Sequence, residues 1–162
     1  MSTPEVPETR PVKIEAVRSE AELFQSLAIR EVVFIEEQHV PEGIERDDAD
    51  ASAYHVLAFQ DGHAVGTGRL VLLEEAPEGR SGRWAQVGRM AVLRANRGNR
   101  IGSLLLEALE AEARKRKVDG IVLHAQIYAL EFYKKHGYEP EGNVFQEAGM
   151  PHLEMTKQLE RV

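Results

Sequence analysis

Between positions 94 and 103 the chain gathers Arg94, Arg97, Gly98, Asn99, Arg100, Gly102 and Ser103 just ahead of its strongest helical pattern. The first amides of a helix have no partner inside it, and its dipole makes that end positive, so an anion fits there. Glycine lets a ligand come close to the backbone. The three arginines add positive charge to an otherwise acidic chain. A phosphate-holding loop is one reading. An ordinary surface turn with solvated arginines is the other, and these residues alone leave both open. A nucleotide loop ranks last, because no Gly-Lys-Ser/Thr follows.

Other chemistries lack their residues. The chain has no cysteine, which removes a thiol nucleophile, a cysteine zinc site and any disulfide. It has no His-Glu-x-x-His and no Gly-x-Ser-x-Gly, and no metal is expected. Asp47-Asp48-Ala49-Asp50 lacks the spacing and the glycine of a calcium loop. Arg114-Lys115-Arg116-Lys117 closes a helix, where cations suit the dipole, and reads as a helix end rather than a nucleic-acid patch.

Residues 12–17 alternate weakly and suggest a first strand. Ser19 and Glu22 form a capping box, and Leu23, Phe24, Leu27, Val32 and Phe34 carry a helix to about Glu37. An acidic loop is expected over 38–51. Strands follow at 53–60 and 63–73 around the turn Asp61-Gly62, then at 84–93. A helix over 101–117 shows an apolar face of Ile101, Leu104, Leu105, Ala108 and Leu109, with Glu110 and Arg114 paired four apart. A buried strand at 121–126, a short helix at 129–136 closed by Gly137, and a final hairpin complete the order. Such an order predicts an α/β fold, a mixed sheet with helices on its faces.

Residues 87–106 resemble the cofactor-binding segment of GNAT acetyltransferases, whose pattern is Gln/Arg-x-x-Gly-x-Gly/Ala between a strand and a helix. Arg97 and Gly102 match its ends, and Arg100 stands where its middle glycine would. Residues 124–138 resemble the following strand and helix, with their Phe-Tyr-x-x-x-Gly-Tyr ending. The run 147–152, the stretch 30–38 and the acidic run before His55 are similar to the ElaA/YjcF-like branch. The resemblance covers roughly residues 13–159.

It implies the GNAT fold, with two central parallel strands that splay apart, and acetyl-CoA as acyl donor. The diphosphate would sit on Arg97, Gly98, Asn99, Arg100, Gly102 and Ser103, with the pantetheine along Met90, Ala91 and Val92. Tyr133 matches the tyrosine that protonates the departing thiolate. Histone-type members carry a glutamate where Gln86 stands, and glutamine takes no proton. Glu147, His152 and Glu36 are therefore the candidate bases, or a water chain. An acetyl-CoA-dependent N-acetyltransferase acting on a small primary amine is expected. A non-catalytic acyl-CoA sensor is the alternative, which Arg100 and Gln86 would permit. Glu36, Glu37, Glu42, Glu45, Asp47, Asp48 and Asp50 would border the acceptor side and suggest a cationic acceptor, the alternative being that they face solvent and keep the chain soluble.

At 162 residues the chain fits one domain, since roughly 100–200 residues is the usual size. Residues 1–11 read as a flexible tail and 12–162 as the single domain. Net charge of −7 argues against nucleic acid and anionic membranes. Nothing approaches the ~18 apolar residues of a membrane span. A soluble, cytoplasmic protein is expected, and a homodimer is compatible with it.

Overall fold

The computed structural model describes residues 10–160, so most of the expected tail lies outside the described residues. Seven strands form one sheet: β1 (Val12–Ala16), β2 (Tyr54–Gln60), β3 (His63–Leu72), β4 (Trp84–Val92), β5 (Gly120–Gln126), β6 (Glu139–Glu147) and β7 (Met150–Gln158). Their spatial order is β1-β2-β3-β4-β5-β7-β6. All neighbours are antiparallel except β4 and β5. The helix α3 (Ile101–Lys115) lies between that pair in the chain, and a crossover of this length is what parallel neighbours require. Asp61 and Gly62 both take positive φ, as a two-residue hairpin turn between twisted strands demands.

Two apolar clusters lie on opposite faces of the sheet. Ile101, Leu105, Leu106, Leu109 and Ala113 of α3 pack with Val56, Leu70, Val87, Leu123 and Met155. Ile29 and Val33 pack with Leu57 and Ala91. Ile29 belongs to α1 (Glu20–Arg30), whose cap forms as expected, Ser19 Oγ accepting from Glu22 N at 3.1 Å. Helices therefore cover both faces.

Three expectations change. The first helix keeps its extent, but Glu31–Glu37 has π-helical rather than α-helical bonding. Its inward face is Ser26, Ile29, Arg30 and Val33, while Phe24 is 71% exposed. The acidic stretch is not plain loop. It holds α2 (Glu42–Glu45) and a 3-10 turn over Asp48–Ala51, whose carboxylates fold inward onto arginines. The last α-helix among the described residues, α4 (Leu130–Lys135), follows a 3-10 turn at Ile127–Ala129.

Candidate active site

The β4–β5 ladder ends at Val87↔Leu123, although β4 runs on to Val92 and β5 to Gln126. The strands part beyond that point. A bulge helps to open the gap: Thr67 pairs with Ala91 and Arg69 with Gly88, so Arg89 and Met90 oppose the single residue Gly68. Arg89 takes φ 52°, and a Cβ on Gly68 would stand 2.6 Å from Met90 Sδ, so only glycine leaves that methionine room. Backbone groups of β4 past Val87 that face β5 are released from the ladder.

A cavity of about 280 Å³ occupies this gap. Met90, Gln86 and Arg89 reach it from β4, Leu123, His124 and Gln126 from β5, Tyr133 from α4, Glu147 from β6 and His152 from β7. Phe34, Ile44 and Glu45 close the remaining side. Four expected residues thus meet: Met90, Tyr133, Glu147 and His152. Glu36 is exposed and does not line the cavity, which weakens it as a base.

His152 is 5% exposed, and its Nδ1 lies 2.8 Å from the carbonyl of Met150. A carbonyl only accepts, so Nδ1 carries the proton and Nε2 of the neutral ring keeps a lone pair. That Nε2 lies 3.8 Å from Glu147 Oε2. Glu147 Oε1 accepts from His124 Nδ1 at 3.0 Å, and this bond holds the Glu147 carboxyl below, and the His124 imidazole above, their ordinary values. Burial pushes the Tyr133 hydroxyl well up, with the nearby Tyr128 adding to it. Tyr133 is therefore a neutral phenol that can donate. Its ring is fixed edge-on to Phe132 and Tyr138.

The loop residues sit apart from the cavity, at the far end of β4. Arg100 takes φ 62° as the residue before α3, and no side chain caps the helix, so its first amides are open. The position that is glycine in the motif is thus left-handed backbone here, which explains why glycine suits it. Gly98 has φ 86°. A Cβ on Gly102 would lie 3.4 Å from the Phe132 ring, and Ser103 Oγ is 3.0 Å from His136 Nε2. Asn99 bonds the carbonyl of Asn96. Arg97 is not free: its guanidinium holds Val92 O at 2.9 Å and grips both oxygens of Glu37. It struts the loop against the π-helical segment. Ala91 turns its side chain into the second core, leaving only backbone toward the gap, and Val92 is half-buried.

The acidic region needs the largest correction. Arg30 donates Nε to Glu45 Oε1 and bonds Asp50 at 2.7 and 3.0 Å. Arg69 holds Asp47 at 2.7 and 2.9 Å and Asp50 at 2.8 Å. Arg89 reaches the carbonyl of Glu45 and Oδ2 of Asp47. These carboxylates neutralise arginines and do not stand free to draw in a cation. Arg30 lies 15 and 20 positions from its partners, so no local pattern reveals the pairing. His124 left one trace, a polar residue between the buried run Ile121-Val122-Leu123 and Ala125.

Among the described residues no helix is long and apolar enough to cross a membrane, and no cluster of metal-binding side chains occurs. Residues 15–159 match the acetyltransferase (GNAT) domain model. The chain is 34% identical to the protein YyaT of Bacillus subtilis, over 93% of this chain and 98% of that one. It is 32% identical to the N-acetyltransferase YjcF of Bacillus subtilis, over 90% and 99%. The crystal structure of Escherichia coli ElaA superposes with a TM-score of 0.75 at 25% identity, covering 91% of this chain and 99% of that one. The chain belongs to the GNAT acetyltransferase family and is an acyl-CoA N-acyltransferase.

Proposed function

We propose that the protein moves an acetyl group from acetyl-CoA directly to the primary amine of a small molecule. The observation that carries this reading is the parting of β4 and β5 past Val87 and Leu123, into a cavity where Tyr133 and His152 face a common space. A volume of about 280 Å³ is at the lower end for ligand sites, which suits a small acceptor.

The residues present fit a CoA thioester. The uncapped start of α3 offers the amides of Ile101, Gly102 and Ser103 to a diphosphate, with the Arg100 guanidinium beside them. The released backbone over Met90, Ala91 and Val92 offers hydrogen bonds to an extended amide-bearing arm. The thioester supplies an acyl carbon open to attack and a thiolate that can leave.

In this reading His152 Nε2 takes a proton from the arriving ammonium, so that the amine attacks with its lone pair. Freed backbone N–H groups of β4 stabilise the charge gathering on the carbonyl oxygen. Tyr133 gives its phenolic proton to the sulfur and recovers one from the nitrogen of the new amide. Without cysteine or an activated serine motif, the acyl group passes in one step.

The test is CoA release from acetyl-CoA over a panel of amines. Release that depends on amine, with no stoichiometric acetyl adduct on the protein by mass spectrometry when amine is omitted, supports direct transfer. A turnover-competent adduct, or release unchanged by every small amine, overturns it.

A further inference from the structure

We propose that Glu147 carries the proton away from His152 into bulk water, with His124, backed by Glu154, holding the carboxylate in place for that transfer. The inference rests on the reading of His152 as base and adds an exit to it. The four side chains alternate imidazole and carboxylate along three neighbouring strands. His152 Nε2 stands 3.8 Å from Glu147 Oε2, an ion-pair separation that one water or a small rotation of the carboxylate closes. Glu147 Oε1 stands 3.0 Å from His124 Nδ1, and His124 Nε2 stands 3.6 Å from Glu154 Oε1. Exposure steps up at once along this path, from 6% at the His152 side chain to 45% at Glu147.

Phe145 holds both rings in place. Its ring meets His124 edge-on with centroids 5.1 Å apart and stacks on His152 at 5.9 Å. A structural salt bridge would need one histidine. Here two histidines meet one carboxylate: His124 donates Nδ1–H to Oε1, and His152, aimed by Phe145 and by the carbonyl of Met150, presents Nε2 to Oε2.

The protons balance. The ammonium brings three: one goes to His152, one goes through Tyr133 to the thiol, and one stays on the amide. His152 passes its proton to Glu147 Oε2, and Glu147 gives it up to water, while His124 stays charged with Nδ1–H on Glu147 Oε1 and Nε2–H toward Glu154. One proton enters and one leaves, and every group returns to its starting state. The charged groups that act on this array are Glu147 from β6, Glu154 and His152 from β7, and Arg89 from β4, which bears on Glu147 from farther away.

The experiment compares His124→Asn and Glu147→Gln with wild type, using the full chain, acetyl-CoA and one amine acceptor across pH. A positioned proton acceptor is worth about 10²- to 10⁴-fold, and blocking its exit forfeits part of that factor in kcat. In Glu147→Gln, kcat falls and is restored by added imidazole, while the KM for acetyl-CoA holds. The acid limb of kcat/KM moves up in His124→Asn, where a positive neighbour of Glu147 is lost, and down in Glu147→Gln, where the negative charge beside the base is lost. Opposite movements cannot come from loosened packing, and both variants keep a side chain of similar size. Unmoved limbs, or a Glu147→Gln rate indifferent to imidazole, overturn the exit path. His152→Gln separates the two readings: wild-type turnover there removes the base itself, whereas loss there beside an unaltered Glu147→Gln removes only the exit.

Discussion

Tyr133 and His152 enter the cavity from α4 and β7, and their surroundings set what each can do. Burial keeps the Tyr133 hydroxyl protonated, so in the proposed transfer it gives its proton before it recovers one. Tyr133→Phe should therefore lower kcat by about 10²- to 10⁴-fold, while binding of acetyl-CoA, read by calorimetry, stays as it was. An unaltered kcat removes the phenol from the mechanism. His152→Gln should give a comparable loss, because glutamine has no lone pair that takes a proton at neutral pH. Tyr133 was legible because an aromatic pair four residues ahead of a capping glycine is a local pattern. Glu147 and His152 were legible as candidates by motif but not as neighbours, since only the β6–β7 hairpin register brings them to one end. His124 was hidden because, in a strand, one polar residue among apolar ones reads as ordinary alternation. Only its contacts with Glu147 and Glu154 give it a meaning.

Whole elements followed their sequence signals where the signal was local. The helix α3 and the loop ahead of it emerged where the 3.6-residue pattern put them, with Ile101, Leu105 and Leu109 buried as expected, but the buried stripe also takes in Leu106, Ala113 and Glu110, which accepts from Tyr138 and Lys157. The first helix shows the opposite case. Its buried face carries Ser26 and Arg30, whose polarity is satisfied by Thr67 and by Glu45 and Asp50, so hydrophobic residues alone misplace the face and leave Phe24 outside. The π-helical turns at Glu31–Glu37 have no composition of their own, and they deliver Phe34 to the cavity and Glu37 to Arg97. At the start of α3 the strain is measurable. Arg100 sits at φ 62°, where a side chain costs about 1–2 kcal/mol, partly offset by the lower entropy of a non-glycine residue in the unfolded chain. Arg100→Gly should raise stability by about 0.5–1 kcal/mol by denaturant unfolding. The same change removes a cation from the proposed phosphate site, so affinity for CoA should fall as stability rises, and more at low salt than at high. Affinity that holds or rises would mean that the guanidinium has no part in binding.

For the molecule as a whole, the arginine–carboxylate network joins the wall of the cavity to the sheet. Arg30 from α1, Arg69 from β3 and Arg89 from β4 converge on Glu45, Asp47 and Asp50, so one segment of chain is tied to three elements. Asp50 is central: it bonds Arg30 and Arg69 at once, its backbone carbonyl accepts a hydrogen bond from His55 Nε2, and its side chain is 13% exposed. Burial works to raise its carboxyl. Hydrogen bonds and charge from Arg30 and Arg69 override that and hold it far below the usual carboxylate range, and Asp47 is lowered by Arg69. A carboxyl whose folded value lies below its unfolded value stabilises fully above the unfolded value, near 3.9, and loses that contribution as pH falls through the folded one. Wild-type melting temperature should therefore drop steeply below about pH 4. Asp50→Asn should cost about 3–5 kcal/mol at neutral pH, because it leaves two buried guanidinium groups short of a counter-charge. Its melting temperature should then fall less on acidification, since the group that titrates is gone. The same variant tests whether the network serves the site. Glu45 and Ile44 line the cavity beside Arg89, so loosening their anchor should raise the KM for the acceptor more than that for acetyl-CoA, whose proposed contacts lie at the start of α3. Parallel acid-melting curves would show that Asp50 does not supply the pH dependence. An equal rise in both KM values would show that the network holds the fold without shaping the acceptor side.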